Sequence, residues 1–250
     1  MSIFSFEEIK EQHKGADLII IGNGPSAMQL KESYEGSGEL FPEVMNLSGH
    51  ENRPVWTVNG GWGYYPMNST VGFAMHDYRT PGGISGGYPI KDKQEMFDRL
   101  FTDIPIPIIT SVKVPHLPNT VAFPLKECLL RFNTAYFGEA IHYMIAMAIM
   151  CGVRTIELLG VDYLPDDRKP YERAGTEYWL GRADEAGVTV YRDGYTYLMT
   201  TDLPDYMAQG FYGYSPESLS EAVDLAAVDA EITLKKDNWV QQPLEDRKIA

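Results

Sequence analysis

The stretch Asp17-Leu18-Ile19-Ile20-Ile21-Gly22-Asn23-Gly24-Pro25-Ser26-Ala27 constrains this chain most. A short apolar run rich in β-branched residues empties into a glycine turn, and helix-like sequence follows. That order describes a first parallel strand, a tight turn and a crossover helix, with a ligand at the strand's carboxyl end. Gly22 and Gly24 let the backbone turn sharply and approach a ligand without a Cβ in the way. Pro25 suits a first helical position, and Ser26 offers a hydroxyl beside the open amides of a helix start. The layout predicts a nucleotide phosphate site.

The remainder of the chain repeats the alternation. Pro54–Asn59 reads as a second strand, ending at Asn59 before Gly60 and Gly61, and Val71–Met75 as a third that runs into His76 and Asp77. Residues 105–124 carry five prolines among β-branched residues, with Ile108–Val112 as the best strand. Phe137–Cys151 is apolar nearly all round, hence a buried helix, and Gly152 closes it. Thr155–Gly160 is another parallel-type strand with Asp162 just beyond it, and Val188–Tyr191 is the last. Phe4–Lys14, Ser26–Tyr34 and Lys91–Phe101 have helical spacing; an acidic helix spans about 217–236. The expected fold is α/β: one domain over 1–250 with an open, mostly parallel Rossmann-like sheet and a lid over about 163–180.

Composition narrows the partners. A net charge of −14 repels phosphate backbones at long range and argues against a general nucleic-acid binder. No apolar run reaches membrane-spanning length, and the first residues lack a basic-then-apolar signal pattern, so a cytoplasmic protein is expected. Cys128 and Cys151 lie in apolar surroundings without metal or disulfide spacing and read as buried free thiols. Trp62, Tyr64 and Tyr65 follow Asn59 in a glycine-rich loop, where they could stack on a sugar or base. Oligomeric state is left open.

Gly22–Ala27 formally satisfies the dinucleotide pattern G-x-G-x-x-G/A. A dehydrogenase also needs a ribose-binding acid at the end of strand two, and Asn59 stands there instead. Pro25 removes a backbone donor from the turn as well.

Ile19-Ile20-Ile21-Gly22-Asn23-Gly24-Pro25-Ser26 resembles the opening of the bacterial CMP-sialic-acid-dependent sialyltransferases of the Campylobacter type. It is also similar to the related motility accessory factors and MptE-like (DUF115) pyrophosphokinases. Ala146–Asp162 is similar to that superfamily's helix, glycine turn, strand and Gly-Val-Asp ending. Val58-Asn59 and Trp179-Leu180-Gly181 follow the same order. The resemblance implies a GT-A-like variant of the Rossmann fold. It implies nucleotide contacts from Asn23 and Asn59, with Asn133 or Thr134 standing for the hydroxyls at the start of the long helix. Asp162 is then expected to face the ligand. Where the sialyltransferases carry a His after the glycine corresponding to Gly181, this chain has Arg182, whose guanidinium cannot take a proton at neutral pH.

His76 and Asp77 are therefore the candidate acid/base pair, against the competing reading of a strand-end His that caps backbone carbonyls. In the expected lid, Tyr171 could hydrogen-bond a leaving phosphate, and Arg168, Lys169, Arg173 or Arg182 could neutralise it. His142, within the apolar helix, reads as a satisfied core histidine. The expected activity is transfer of a sugar from a CMP- or UDP-type donor, used as a substrate, to a hydroxyl acceptor, with no tightly bound cofactor. Three alternatives stand beside it: an ATP/Mg²⁺ pyrophosphokinase using Asp77 and Asp162, a transferase acting on a DNA base, and a nucleotide-binding protein without catalysis.

Overall fold

The computed structural model describes residues 4–24, 27, 52–59, 61, 69–75, 105–163, 170–192 and 196–199. Its seven strands are β1 (Asp17–Ile21), β2 (Val55–Val58), β3 (Ser69–Ala74), β4 (Ile108–Thr110), β5 (Thr120–Ala122), β6 (Thr155–Leu159) and β7 (Thr189–Arg192). They form one sheet in the order β5-β4-β3-β2-β1-β6-β7, and every neighbouring pair is parallel. The open α/β sheet expected from the sequence is the fold observed. From β1 the chain builds outward through β2 to β5, then returns to lay β6 on the other side of β1. That reversal makes the carboxyl ends of β1 and β6 the topological switch point, where open α/β sheets leave a crevice for ligands.

β1 is central because it is apolar on both faces, as a doubly covered parallel strand must be. Leu18 and Ile20 join the large core on one face, together with Trp56, Val58 and Phe73. Ile19 and Ile21 face the other way with Val55 and Ala27. Each such side chain contributes roughly 1.5–3 kcal/mol when fully buried. A one-residue slip would exchange the two faces, so packing fixes the register Ile19↔Val55 and Ile19↔Glu157. At the opposite, amino-terminal ends, charge fastens the same strands. Arg154 Nε donates to Asp17 Oδ1 at 2.8 Å, Thr155 Oγ1 donates to the same oxygen at 2.9 Å, and Arg53 pairs with Glu157. The Arg154 guanidinium holds the Asp17 carboxyl below its usual range.

Four helices accompany the sheet among the described residues: α1 (Phe6–His13), α2 (Leu125–Phe132), α3 (Ala140–Cys151) and α4 (Pro170–Glu185). A capping box starts α1, with Ser5 N–H donating to Glu8 Oε2 at 2.8 Å and Glu8 N–H donating to Ser5 Oγ at 3.3 Å. α3 is buried on nearly all sides and stops at Gly152, whose φ of +72° is the left-handed cap expected there. Among the described residues no helix is long and apolar enough to cross a membrane.

Two elements differ from the sequence expectation. Residues 170–185, expected as part of a lid and the loop before the last strand, form the sixteen-residue helix α4, packed on α3 and β7. Its inward positions are Gly175, Thr176, Trp179, Leu180 and Ala183, a helical repeat disguised by small and polar residues. The proline-rich stretch also contains a further strand, β5, and leads into α2 directly after Pro124. The expected helices 26–34, 91–101 and 217–236 lie outside the described residues.

Candidate functional site

At the switch point the β1 and β6 termini are knotted together by backbone contacts. Gly22 N–H donates to Leu159 O at 2.8 Å, which prolongs the β1–β6 ladder past the strand ends. Gly24 N–H donates to Gly160 O at 2.7 Å, and Ala27 N–H closes a turn onto Gly24 O at 3.0 Å. Glycine is required because there is no space for more. A Cβ on Gly22 would stand 2.3 Å from Gly160 O, and one on Gly24 would stand 2.6 Å from both Gly160 O and Asp162 Oδ2.

Asp162 is 4% exposed, with its carboxylate lying against the glycine turn. Its segment is held on several sides. Thr196 Oγ1 donates to Val161 O at 2.6 Å, and Tyr197 N–H donates to Asp162 O at 2.8 Å. The next residue, Tyr163, takes a left-handed φ of +48°, an uncommon conformation for a bulky side chain. Its hydroxyl and Thr176 Oγ1 are 2.7 Å apart, and Thr176 Oγ1 donates to Glu139 Oε1 at 3.0 Å. Because Thr176 gives its proton to the carboxylate, its oxygen accepts from Tyr163, so the chain of donors runs Tyr163 to Thr176 to Glu139. This links the end of β6 to the start of α3 and the second turn of α4.

His142 belongs to the same junction. Gly138 N–H donates to Nδ1 at 2.9 Å, which leaves Nε2 to carry the proton and donate to Glu172 O at 2.9 Å. Burial pushes its pKa below the ordinary 6.5, so the ring is neutral at pH 7. It is the satisfied core histidine read from the sequence. Gly175 makes room for it, since a Cβ there would stand 2.2 Å from His142 Cε1.

On the other flank of β1, Asn59 follows β2 with a φ of +51°, a conformation that Asn tolerates better than most residues. Its N–H still donates to Phe73 O at 2.9 Å, and the residue is exposed at the carboxyl edge of the sheet. The structure therefore brings Gly22, Asn23, Gly24, Asn59 and Asp162 to one edge. Tyr171 stands at that edge too, 56% exposed in the first turn of α4 with its ring beside Gly138. Pro25, Ser26, Gly60, Trp62, Tyr64, Tyr65, His76, Asp77, Arg168 and Lys169 lie outside the described residues.

Three expected site residues are elsewhere. Asn133 is the left-handed cap ending α2, and Thr134 Oγ1 accepts from Tyr136 N–H at 3.3 Å. The long helix starts only at Ala140, behind Glu139. Arg131, two residues before Asn133, reaches Met150 O at 3.5 Å, near the end of α3 that leads into β6. Asn133 and Thr134 thus stand towards the amino-terminal edge of the sheet. Arg182 follows Tyr171 by eleven residues along α4, about 16 Å at 1.5 Å per residue. Its guanidinium lies over the Phe132 ring at 5.8 Å and pairs with Glu185 at 3.3 Å, away from the glycine turn.

Asp162-Tyr163 is one of the polar strand ends that the sequence sends to the crevice; sequence reasoning missed Glu139 and Thr176. The Gly-Val-Asp ending pointed to the place, but a Glu ahead of an apolar helix and a Thr on the inner face of another carry no signal of their own.

No family model matches the chain, and no curated protein matches it. Among solved structures it is similar to the Campylobacter jejuni sialyltransferase CstII in complex with cytidine-5′-monophosphate, at 16% identity and a TM-score of 0.42, over 81% of this chain and 86% of that one. It is also similar to an α-2,3-sialyltransferase from the same organism in its apo form, at 16% identity and a TM-score of 0.40, over 89% and 95% of the two chains. Likeness at that level assigns no activity to this chain.

Proposed function

We propose that this chain is a glycosyltransferase-like enzyme that moves a sugar from a CMP- or UDP-type donor to a hydroxyl acceptor. One observation carries the nucleotide part: Gly22–Gly24 and Asp162 meet across the β1/β6 switch point, with Asn59 on the flank. The sugar-transfer part is supported by the residues that resemble the sialyltransferase opening, Gly22-Asn23-Gly24-Pro25-Ser26, followed in order by Asn59 and Gly160–Asp162.

In this mechanism Asn23 and Asn59 hold the nucleotide. The acceptor oxygen attacks the anomeric carbon while the bond from that carbon to the phosphate oxygen breaks. The electron pair of that bond leaves with the nucleotide, and Tyr171 O–H donates to the departing phosphate. His76 or Asp77, at the end of β3 in sequence, takes the acceptor proton. Arg182 has no part, because α4 carries it away from this edge.

The test follows nucleotide release from CMP- and UDP-sugars, with and without Mg²⁺ and acceptor sugars, beside thermal shifts with CMP, UDP, ATP and NAD. The expected result is release without added metal, lost in His76→Ala or Asp77→Asn while the CMP or UDP shift persists. A shift with ATP and Mg²⁺ alone would replace this reading by a pyrophosphokinase. Tight CMP or UDP binding without turnover would leave a sequestering protein.

A further inference from the structure

Tyr171 is exposed, so its place at the site is set mainly by the helix that carries it. α3 runs into β6 and α4 leaves it, so both helices begin at the carboxyl edge of the sheet. Two buried side chains tie those beginnings together. His142, on α3, accepts from Gly138 N–H through Nδ1 and donates through Nε2 to Glu172 O, next to Tyr171 in the chain. Thr176, one turn further along α4, accepts from the Tyr163 hydroxyl at 2.7 Å and donates to Glu139 Oε1 at 3.0 Å. The two ties meet at Glu139, whose Oε1 also lies 3.4 Å from His142 Nε2.

Stability alone does not account for the second tie. Thr176 is fully buried within a helix, where a β-branched residue has no advantage in propensity and an apolar side chain of the same shape would need no partner. Tyr163 enters the tie with a left-handed φ of +48°, a costly conformation for a bulky side chain. That strain sits directly after Asp162, whose carboxylate lies against the glycine turn. Strain held at a candidate site by surrounding hydrogen bonds marks a place where geometry outweighs stability. A connected chain of buried hydrogen bonds favours one arrangement, so this one fixes the end of β6 against the opening turns of α4.

We propose that Tyr163 and Thr176 are positioning residues for Tyr171. Their hydroxyls lock α4 to the end of β6, and this sets the Tyr171 hydroxyl at the departing phosphate. The inference rests on the transferase reading above. Its mark is an effect on turnover rather than on nucleotide affinity. Asn23 and Asn59 hold the nucleotide in that reading, whereas Tyr171 acts on charge that develops as the bond breaks.

The test measures nucleotide release from CMP- and UDP-sugars, and calorimetric titration with CMP and UDP, on the full chain. The unaltered protein is compared with Thr176→Val, Thr176→Ser, Tyr163→Phe, Tyr171→Phe and the double variant Thr176→Val with Tyr171→Phe. Thr176→Val and Tyr163→Phe are each expected to lower kcat about tenfold to a hundredfold, the scale of a misplacement of roughly 1 Å. The Kd of CMP or UDP should stay within about twofold, because the lost interaction matters only in the transition state. Thr176→Ser, which keeps the hydroxyl, should restore turnover. Once Tyr171→Phe has removed the donor, Thr176→Val should cost little more, since it acts through that side chain. Full activity in Thr176→Val, Tyr163→Phe or Tyr171→Phe would overturn the proposal. So would a Thr176→Ser as slow as Thr176→Val, losses that multiply in the double variant, or an affinity that falls as far as kcat. If Thr176→Val does not fold, Tyr163→Phe, alone and combined with Tyr171→Phe, decides in its place. Absence of release from either donor by the unaltered chain would overturn the transferase reading, and this inference with it.

Discussion

Gly24 and Asp162 meet across the junction of β1 and β6 with no room for a methyl group between them: a Cβ on Gly24 would stand 2.6 Å from Asp162 Oδ2 and equally close to Gly160 O. One of those atoms is backbone held by a 2.7 Å hydrogen bond from Gly24 itself, so it cannot step aside cheaply. Gly24→Ala is expected to destabilise the fold by about 1–3 kcal/mol, the usual cost of forcing a methyl into a filled site. It should also weaken nucleotide binding. Urea denaturation and titration with CMP or UDP check the two effects; unchanged stability would contradict the geometry.

Two glycines of α4 should respond in opposite directions. Gly181 is exposed, and a Cβ there would meet nothing within 4 Å, so Gly181→Ala is expected to stabilise by about 0.5–1 kcal/mol through helix propensity. Gly175 faces His142, and Gly175→Ala is expected to cost about 1–3 kcal/mol. Thermal melts of the two variants decide whether this segment is the packed helix described above or a catalytic loop. Arg182→Gln should leave nucleotide release unchanged, since its guanidinium is engaged by Phe132 and Glu185.

Stability should fall as pH drops below neutrality, and the buried histidines supply the sign. Burial lowers the pKa of His13 and of His142 below 6.5, and each keeps its ring neutral in the fold. The unfolded chain therefore takes up protons first. Stability is fully present above pH 6.5 and is lost as pH falls through the folded pKa values. The loss is on the order of 1 kcal/mol for every tenfold by which folding weakens a histidine's hold on its proton. Asp17, whose pKa is lowered from 3.8, adds its own loss only in more acid solution. Urea midpoints at pH 7.5 and pH 5 measure the effect, and His142→Gln should flatten it in part.

Both cysteines should be inert in the native protein. Burial pushes the Cys128 and Cys151 thiols up to about 12, and neither side chain is open to solvent. A thiol reagent at pH 8 is expected to label neither in buffer and both in denaturant. Rapid native labelling would contradict the packing of α2 and α3.

The parts of this fold that were legible in the sequence are those whose surroundings demand one kind of residue. Leu18–Ile21 must be apolar on both faces, Ala140–Cys151 must be apolar all round, and Gly152 must accept a left-handed φ. The glycine turn and the Gly-Val-Asp ending were legible for the same reason, since close backbone approach leaves no other choice. α4 was not, because its buried side is built from Gly175, Thr176 and Ala183 around a single Trp179 and Leu180. Nor was the use of the turn. Whether Gly22 and Gly24 offer their N–H groups to a phosphate or to Leu159 and Gly160 depends on how closely β6 lies beside β1, which residue types alone do not record. Asn133 and Thr134 were misplaced by the same kind of ignorance: α2 and the segment after it set the long helix to begin later than the resemblance implied.

The structure of the chain crystallised with CMP or UDP is the most direct test of a nucleotide site at the β1/β6 switch point. The account predicts nucleotide density at the carboxyl edge of the sheet, over Gly22–Gly24 and within reach of Asp162 and Asn59. Density at any other place, or an empty switch point at saturating nucleotide, would contradict it.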